Sequence, residues 1–142
     1  MSKRKFYFFI FLFVFFLGNN GVAKDTYFDE GKKLFDEKKF PESKFKFEQD
    51  IVFNPKNERS YLYLAKIFKQ EEKDDLEEQN LNTVILLNPK NEEALYLLTL
   101  LKIKKSDYEE SNKLIKKFQK ICKNICDNEA ELKKKLLRLE TQ

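Results

Sequence analysis

Phe53-Asn54-Pro55-Lys56-Asn57-Glu58 and Leu87-Asn88-Pro89-Lys90-Asn91-Glu92 are one phrase written twice, differing only in the first residue and starting 34 residues apart. A self-match at a fixed period declares a stack of similar units, each a piece of supersecondary structure that buries its apolar face against its neighbours. Inside each phrase the proline cannot continue a helix. The asparagine two residues later can cap the next helix by accepting a hydrogen bond from an orphan backbone amide. Each phrase is therefore a helix stop joined to a helix start.

Outward from the phrases, apolar residues follow a helical period. Tyr61, Leu64, Ala65 and Phe68 share one face, as do Tyr27, Gly31, Leu34 and Phe35 in the unit before. Each unit has room for two helices. Lys38-Lys39 separates the first pair, with Pro41 suited to the opening turn of its second helix, and Glu72-Lys73 separates the second. In the third unit Ser106 followed by Glu109 reads as a capping box at the same place. Beyond it Asn128 with Glu131 reads as another, opening a helix whose stripe of Ala130, Leu132, Leu136, Leu137 and Leu139 is backed by Lys133-Lys134-Lys135. A stack leaves its last apolar face open, and a helix of this kind closes it.

The amino-terminal stretch is unlike the rest. Ser2-Lys3-Arg4-Lys5 is followed by an unbroken apolar run over residues 6–17, then Gly18-Asn19-Asn20 and the small-residue stretch Gly21-Val22-Ala23. This is the three-part layout of an export signal. The run covers about 18 Å as a helix, against about 30 Å of bilayer hydrocarbon, so it is short for a span. Cleavage after Ala23 is expected, leaving a protein that begins at Lys24; the alternative is an uncleaved membrane anchor formed by residues 6–22. The expected location is outside the cytoplasm, in a bacterial periplasm or cell envelope, with membrane contact only if the signal stays on.

The whole chain carries a formal charge of +4 over 142 residues. Lys3, Arg4 and Lys5 supply three of those charges, so the exported part stands at +1 with lysines and acids interleaved. That pattern excludes nucleic acid as the expected partner. Lys133-Lys134-Lys135 is the one concentrated basic run, and it reads as a solvated helix face.

Histidine is absent, which removes Ser-His and Cys-His constellations and most zinc sites. Of the glycines only Gly31 lies outside the signal, so there is no phosphate-cradling loop. The acidic pairs Glu71-Glu72 and Asp74-Asp75 read as solvated helix ends. No catalytic residue, cofactor, metal or small-molecule substrate is expected. Cys122 and Cys126 are the only thiols, spaced four apart across the turn into the closing helix. Three states stay open for them: a structural disulfide, which an oxidising location favours, two reduced half-buried thiols, or a redox-active pair.

On these residues the chain resembles the tetratricopeptide repeat family, whose unit of about 34 residues carries Trp-x-x-Leu-Gly-x-x-Tyr, then Ala-x-x-x-Phe, then Pro. In the first unit Tyr27 stands at the Trp position, Gly31 matches, Leu34 replaces Tyr, Ser43 takes the small-residue position, and Phe47 and Pro55 match. The second offers Tyr61, Leu64, Ala65, Phe68, Leu81 and Pro89, with Glu77 at the small-residue position. The third has Leu95, Leu98, Thr99, Tyr108, Ser111 and Ile115, but Lys102 and Lys123 depart from the pattern. The resemblance implies an all-α, right-handed solenoid of helical hairpins: repeats over residues 24–57, 58–91 and 92–125 and a capping helix over 126–142. Glu77 is expected to loosen the second hairpin unless its helix turns to put it in water.

The family's usual binding surface is the concave groove lined by the first helix of each unit. Carried over by position, its residues here are Phe28, Lys32 and Phe35, then Leu62, Lys66 and Lys69, then Tyr96, Leu100 and Ile103. The branch that clamps carboxy-terminal carboxylates places asparagines where this chain has Asp29, Lys32, Tyr63 and Lys66, so that clamp is not expected. The implied function is an exported protein-interaction module, an adaptor or scaffold holding a peptide or partner helix in assembling or tethering a cell-envelope complex. The alternatives are a self-associating structural module or a thiol-redox protein using Cys122 and Cys126.

Overall fold

The computed structural model describes residues 26–140. The export signal read in residues 1–23 and the side chain of Leu139 lie outside the described residues. Among the described residues seven α-helices run in order: α1 (Thr26–Asp36), α2 (Phe40–Phe53), α3 (Glu58–Gln70), α4 (Asp74–Leu87), α5 (Glu92–Lys104), α6 (Tyr108–Ile121) and α7 (Asn128–Glu140). The starts of α3 and α5, and of α4 and α6, are each 34 residues apart. Consecutive helices pack on one another along the whole series, and α7 closes the end against both α5 and α6. This is a solenoid of helical hairpins with a terminal helix.

The two asparagines do cap. Asn57 accepts a hydrogen bond from the Arg59 amide at 3.3 Å, and Asn91 from the Ala94 amide at 2.9 Å. Pro41 sits in the first turn of α2 as expected. Two caps differ from the sequence reading. Asp107, not Ser106, caps α6, accepting from the Glu110 amide at 3.2 Å. Ser106 is spent on ending the previous helix, in the left-handed region at φ 59°. At the other end Asn128 is already the first residue of α7, and Glu131 turns away to accept from the Tyr96 hydroxyl at 3.0 Å.

Ser106 belongs to a series. Lys38, Glu72 and Ser106, one per hairpin, all have positive φ, between 56° and 60°. Each ends the first helix of its hairpin with the same bond pair: Lys38 N–H to Phe35 C=O with Lys39 N–H to Leu34 C=O, Glu72 to Lys69 with Lys73 to Phe68, and Ser106 to Ile103 with Asp107 to Lys102. This is the Schellman arrangement, which satisfies carbonyls that the helix end would otherwise orphan. Glycine normally occupies that position, and none stands there here.

Two cores share α3. One is aromatic, formed by Phe28, Phe47, Leu64, Ile67 and Phe68. The other is mostly aliphatic and runs from Leu62 and Ala65 through Leu95 and Phe118 to Leu132 and Leu136 of α7. Small residues set the spacing: Gly31 lies so close to the Phe47 ring that a Cβ there would stand 2.8 Å from ring carbon Cε1. Ser43 is fully buried and donates to the Gly31 carbonyl at 2.8 Å. Glu77, at the same register one unit on, has not turned into water; it is 4% exposed, and burial pushes its carboxyl above the usual range, with Lys69 opposing. Cys122 and Cys126 are joined in a disulfide with Cα atoms 5.3 Å apart, across the turn before α7.

Candidate functional site

The candidate surface is the face shared by α1, α3 and α5, and the nine residues carried onto it differ in depth. Phe28, Leu62 and Ile103 are buried at 2%, 7% and 4% exposure, so they hold helices together and offer no area to a partner. Phe35 and Leu100 are half-buried against their cores. Lys32, Lys66 and Tyr96 are partly exposed and Lys69 is exposed.

An aromatic cluster underlies the α1–α3 part of this face. Tyr63 is its centre: its ring meets Phe35 edge-on at 5.0 Å, Phe28 edge-on at 5.7 Å, and stacks on Phe47 at 5.0 Å. Phe28 is covered from outside by the Arg59 guanidinium, 3.9 Å from its ring centroid. The Lys66 ammonium lies 4.7 Å from the Tyr63 ring. Cations over aromatic faces are held by the ring quadrupole, so Arg59 and Lys66 are fixed in direction while their charge stays at the surface. Arg59 is absent from the sequence-derived groove, and Tyr63 enters it only as a position of the carboxylate clamp that is not expected. The signal for both was available, because Arg59 lies one helical turn from Leu62 and Tyr63 one turn from Lys66.

Charge on the face is partly balanced. Lys32 donates to Asp36 at 2.8 Å, which raises its pKa, and Lys66 pairs with Glu93 at 2.8 Å. Tyr96 donates to Glu131, and burial together with that carboxylate pushes its hydroxyl upward. The Glu131 carboxyl is held low by Lys135 first and Tyr96 second. Lys69 forms no ion pair among the described residues and faces the buried Glu77 and the Glu131 carboxylate only at longer range. Among the described residues no cluster of three or more metal-ligating side chains occurs, and no helix is long and apolar enough to cross a membrane.

The first hairpin junction holds a buried polar centre. Asp50 of α2 is fully buried and accepts from Asn54, from Asn57 at 2.7 Å and from Ser60. The later junctions use the first residue of a helix instead. Glu58 accepts from Asn88 at 3.4 Å, and Glu92 accepts from the Asn124 and Ile125 amides at 3.0 and 3.2 Å and from the Asn124 side chain.

No family model and no curated protein matches the sequence. Among solved structures the backbone is similar to the first repeat domain of Spaghetti (RPAP3) bound to an HSP90 peptide, at TM-score 0.73 and 18% identity, covering 86% of this chain and 99% of that one. The chain has the tetratricopeptide-repeat fold. A second such domain, TPR2B of yeast Sti1 in complex with an Hsp70 peptide, superposes at TM-score 0.72 with 15% identity over 82% of this chain and 97% of its own. The Yersinia enterocolitica type III secretion chaperone SycD, with a peptide of the translocator YopD, gives TM-score 0.72 and 14% identity over 87% and 100%. The tetratricopeptide solenoid here thus spans the full length of those domains.

Proposed function

We propose that this chain is an exported, non-enzymatic interaction module that holds an amphipathic segment carrying acidic residues on the α1–α3–α5 face, as an adaptor in a cell-envelope complex. The observation that carries the reading is the row Arg59, Tyr63, Lys66, Lys69 and Tyr96, which offers fixed aromatic edges and cations from helices that are themselves rigidly packed. Aromatic anchors supply most of the affinity in such contacts, and charge supplies register and speed of encounter. The peptide-bound tetratricopeptide domains it resembles in fold support the choice of surface. The layout of residues 1–23 supports export.

The test is a pair of measurements on protein as isolated from cells, its amino terminus read by intact mass. Affinity capture from the cell envelope is compared with a Lys69→Glu/Tyr96→Ala variant, both positions being accessible. A labelled acidic amphipathic peptide is titrated beside its lysine-substituted twin. Loss of a specific captured protein together with weaker binding of the acidic peptide supports the reading. Equal capture by both forms, or equal binding of both peptides, removes this face from function.

A further inference from the structure

The second helices of the hairpins form the opposite side of the solenoid, and their outward positions change character along the chain. On α2 they are Phe45 and Val52, 58% and 75% exposed; one unit on they are Gln79 and Leu86, the latter 80% exposed; another unit on they are Lys113 and Lys120. Phe53, 63% exposed and stacked on Tyr27, widens the apolar end. Glu42 and Glu48 border it, and neither is ion-paired among the described residues. Exposed large apolar residues on one side of a helix with a polar border mark a contact surface.

The far end is the more basic one. Leu137 of α7 stands 60% exposed between two shallow hollows, one lined by Ala130 and Lys134, the other by Ile115, Lys116 and Leu136. Lys116 and Lys134 form no ion pair among the described residues. From residue 108 to 140 there are nine Lys and Arg against six Asp and Glu, whereas residues 26–57 have seven against seven.

We propose that the Phe45–Val52 face of one copy seats on the α6–α7 end of a second copy, Leu137 meeting Phe45 and Val52 while Glu42 and Glu48 face Lys116 and Lys134. Charge selects this pairing over a twofold dimer through the Phe45 face, which would set Glu42 and Glu48 against their own counterparts. The contact joins two different surfaces, so each copy keeps one of each free. Association extends into an open chain unless the angle between copies closes a ring.

The experiment is sedimentation velocity of the isolated protein over a concentration series at low and high salt, with two surface variants. Phe45→Lys/Val52→Lys blocks one surface and Lys116→Glu/Lys134→Glu blocks the other; serine at 45 and 52 is the milder version should the lysines disturb folding, read by circular dichroism. Wild type is expected to form a concentration-dependent series that weakens with salt, each variant alone to be monomeric, and their equimolar mixture to give a dimer that does not grow. A monomeric wild type at all concentrations overturns the proposal. So does loss of association in the Phe45/Val52 variant with no recovery on mixing, the result of a twofold contact. Association unaffected by either variant overturns it too and leaves the α1–α3–α5 face untouched as a binding surface.

Discussion

The Asp50 carboxylate accepts a hydrogen bond from the Asn57 side chain at 2.7 Å, so the cap of α3 is held by a fully buried acid on α2. Asn57 can then face its oxygen to the Arg59 amide, and Ser60 completes the shell from the first turn of α3. One side chain thereby fixes the angle at which the second hairpin leaves the first. The equivalent positions in the next two units are Val84 and Phe118, both fully buried and apolar. Asp50→Val leaves the half-buried Asn57 and the buried Ser60 donors without their acceptor, and is expected to cost about 2–4 kcal/mol by analogy with broken buried charge-assisted bonds. Urea denaturation measures it; a loss below about 0.5 kcal/mol would show that water replaces the carboxylate at no cost.

Glu77 gives a pH dependence of defined sign. Its native carboxyl holds a proton more tightly than the unfolded chain does, because burial dominates and Asp74 adds to it, while Lys69 and Lys104 only partly oppose. Below the unfolded pKa both states are protonated and there is no penalty. As pH rises through that value the unfolded state ionises first, so this group's contribution destabilises the fold until the raised native pKa is passed, and is constant above it. In Glu77→Gln the stability lost between pH 4 and pH 7 should be smaller than in wild type. Equal pH profiles for the two proteins would mean that Glu77 is hydrated in solution.

The left-handed helix ends predict a gain. An L side chain at positive φ costs about 1–2 kcal/mol, part of which glycine returns as extra entropy in the unfolded chain. Lys38→Gly, Glu72→Gly and Ser106→Gly should therefore each stabilise by about 0.5–1 kcal/mol, and the three should add because they are far apart. Differential scanning calorimetry of the triple variant checks this. A lower Tm would mean that the Lys38, Glu72 and Ser106 side chains contribute more than the strain.

These cases also mark what the sequence could and could not convey. The helix boundaries were legible because proline and asparagine act locally, through a missing amide and a capping oxygen. The αL residues were hidden because lysine, glutamate and serine carry no backbone signature, and the hydrogen bonds that force the conformation come from the whole helix end. Depth on the α1–α3–α5 face was hidden for a geometric reason. Successive helix positions differ by about 100°, so the family pattern names the face while the crossing helix decides which residue is covered. Leu62 and Tyr63 are neighbours, and the first is buried in the aliphatic core while the second lies half-buried against the aromatic one. The disulfide, left open among three states, sits across a turn that the sequence does place, but a turn there allows a bridge without requiring one.

Gly31 is the position where packing and propensity oppose each other. Alanine in mid-helix is favoured over glycine by about 1 kcal/mol, and the equivalent residue one unit on is Ala65, itself fully buried. At Gly31 the neighbour is the Phe47 ring, which is wholly buried, touches Phe28 and Tyr63, and has no open side to move into. Gly31→Ala should accordingly destabilise by about 1–3 kcal/mol, the range for overpacked cores. Phe47→Leu alone loses ring contacts and is also destabilising. In the double variant Gly31→Ala/Phe47→Leu the smaller leucine side chain leaves room for the new methyl, so the combined loss should be smaller than the sum by about 1 kcal/mol. Denaturation midpoints of the four proteins close the cycle. An additive result would locate the cost of Gly31→Ala in the α1 backbone and not in the Phe47 ring, and the Gly31–Phe47 contact would no longer explain why this hairpin carries a glycine where its neighbour carries alanine.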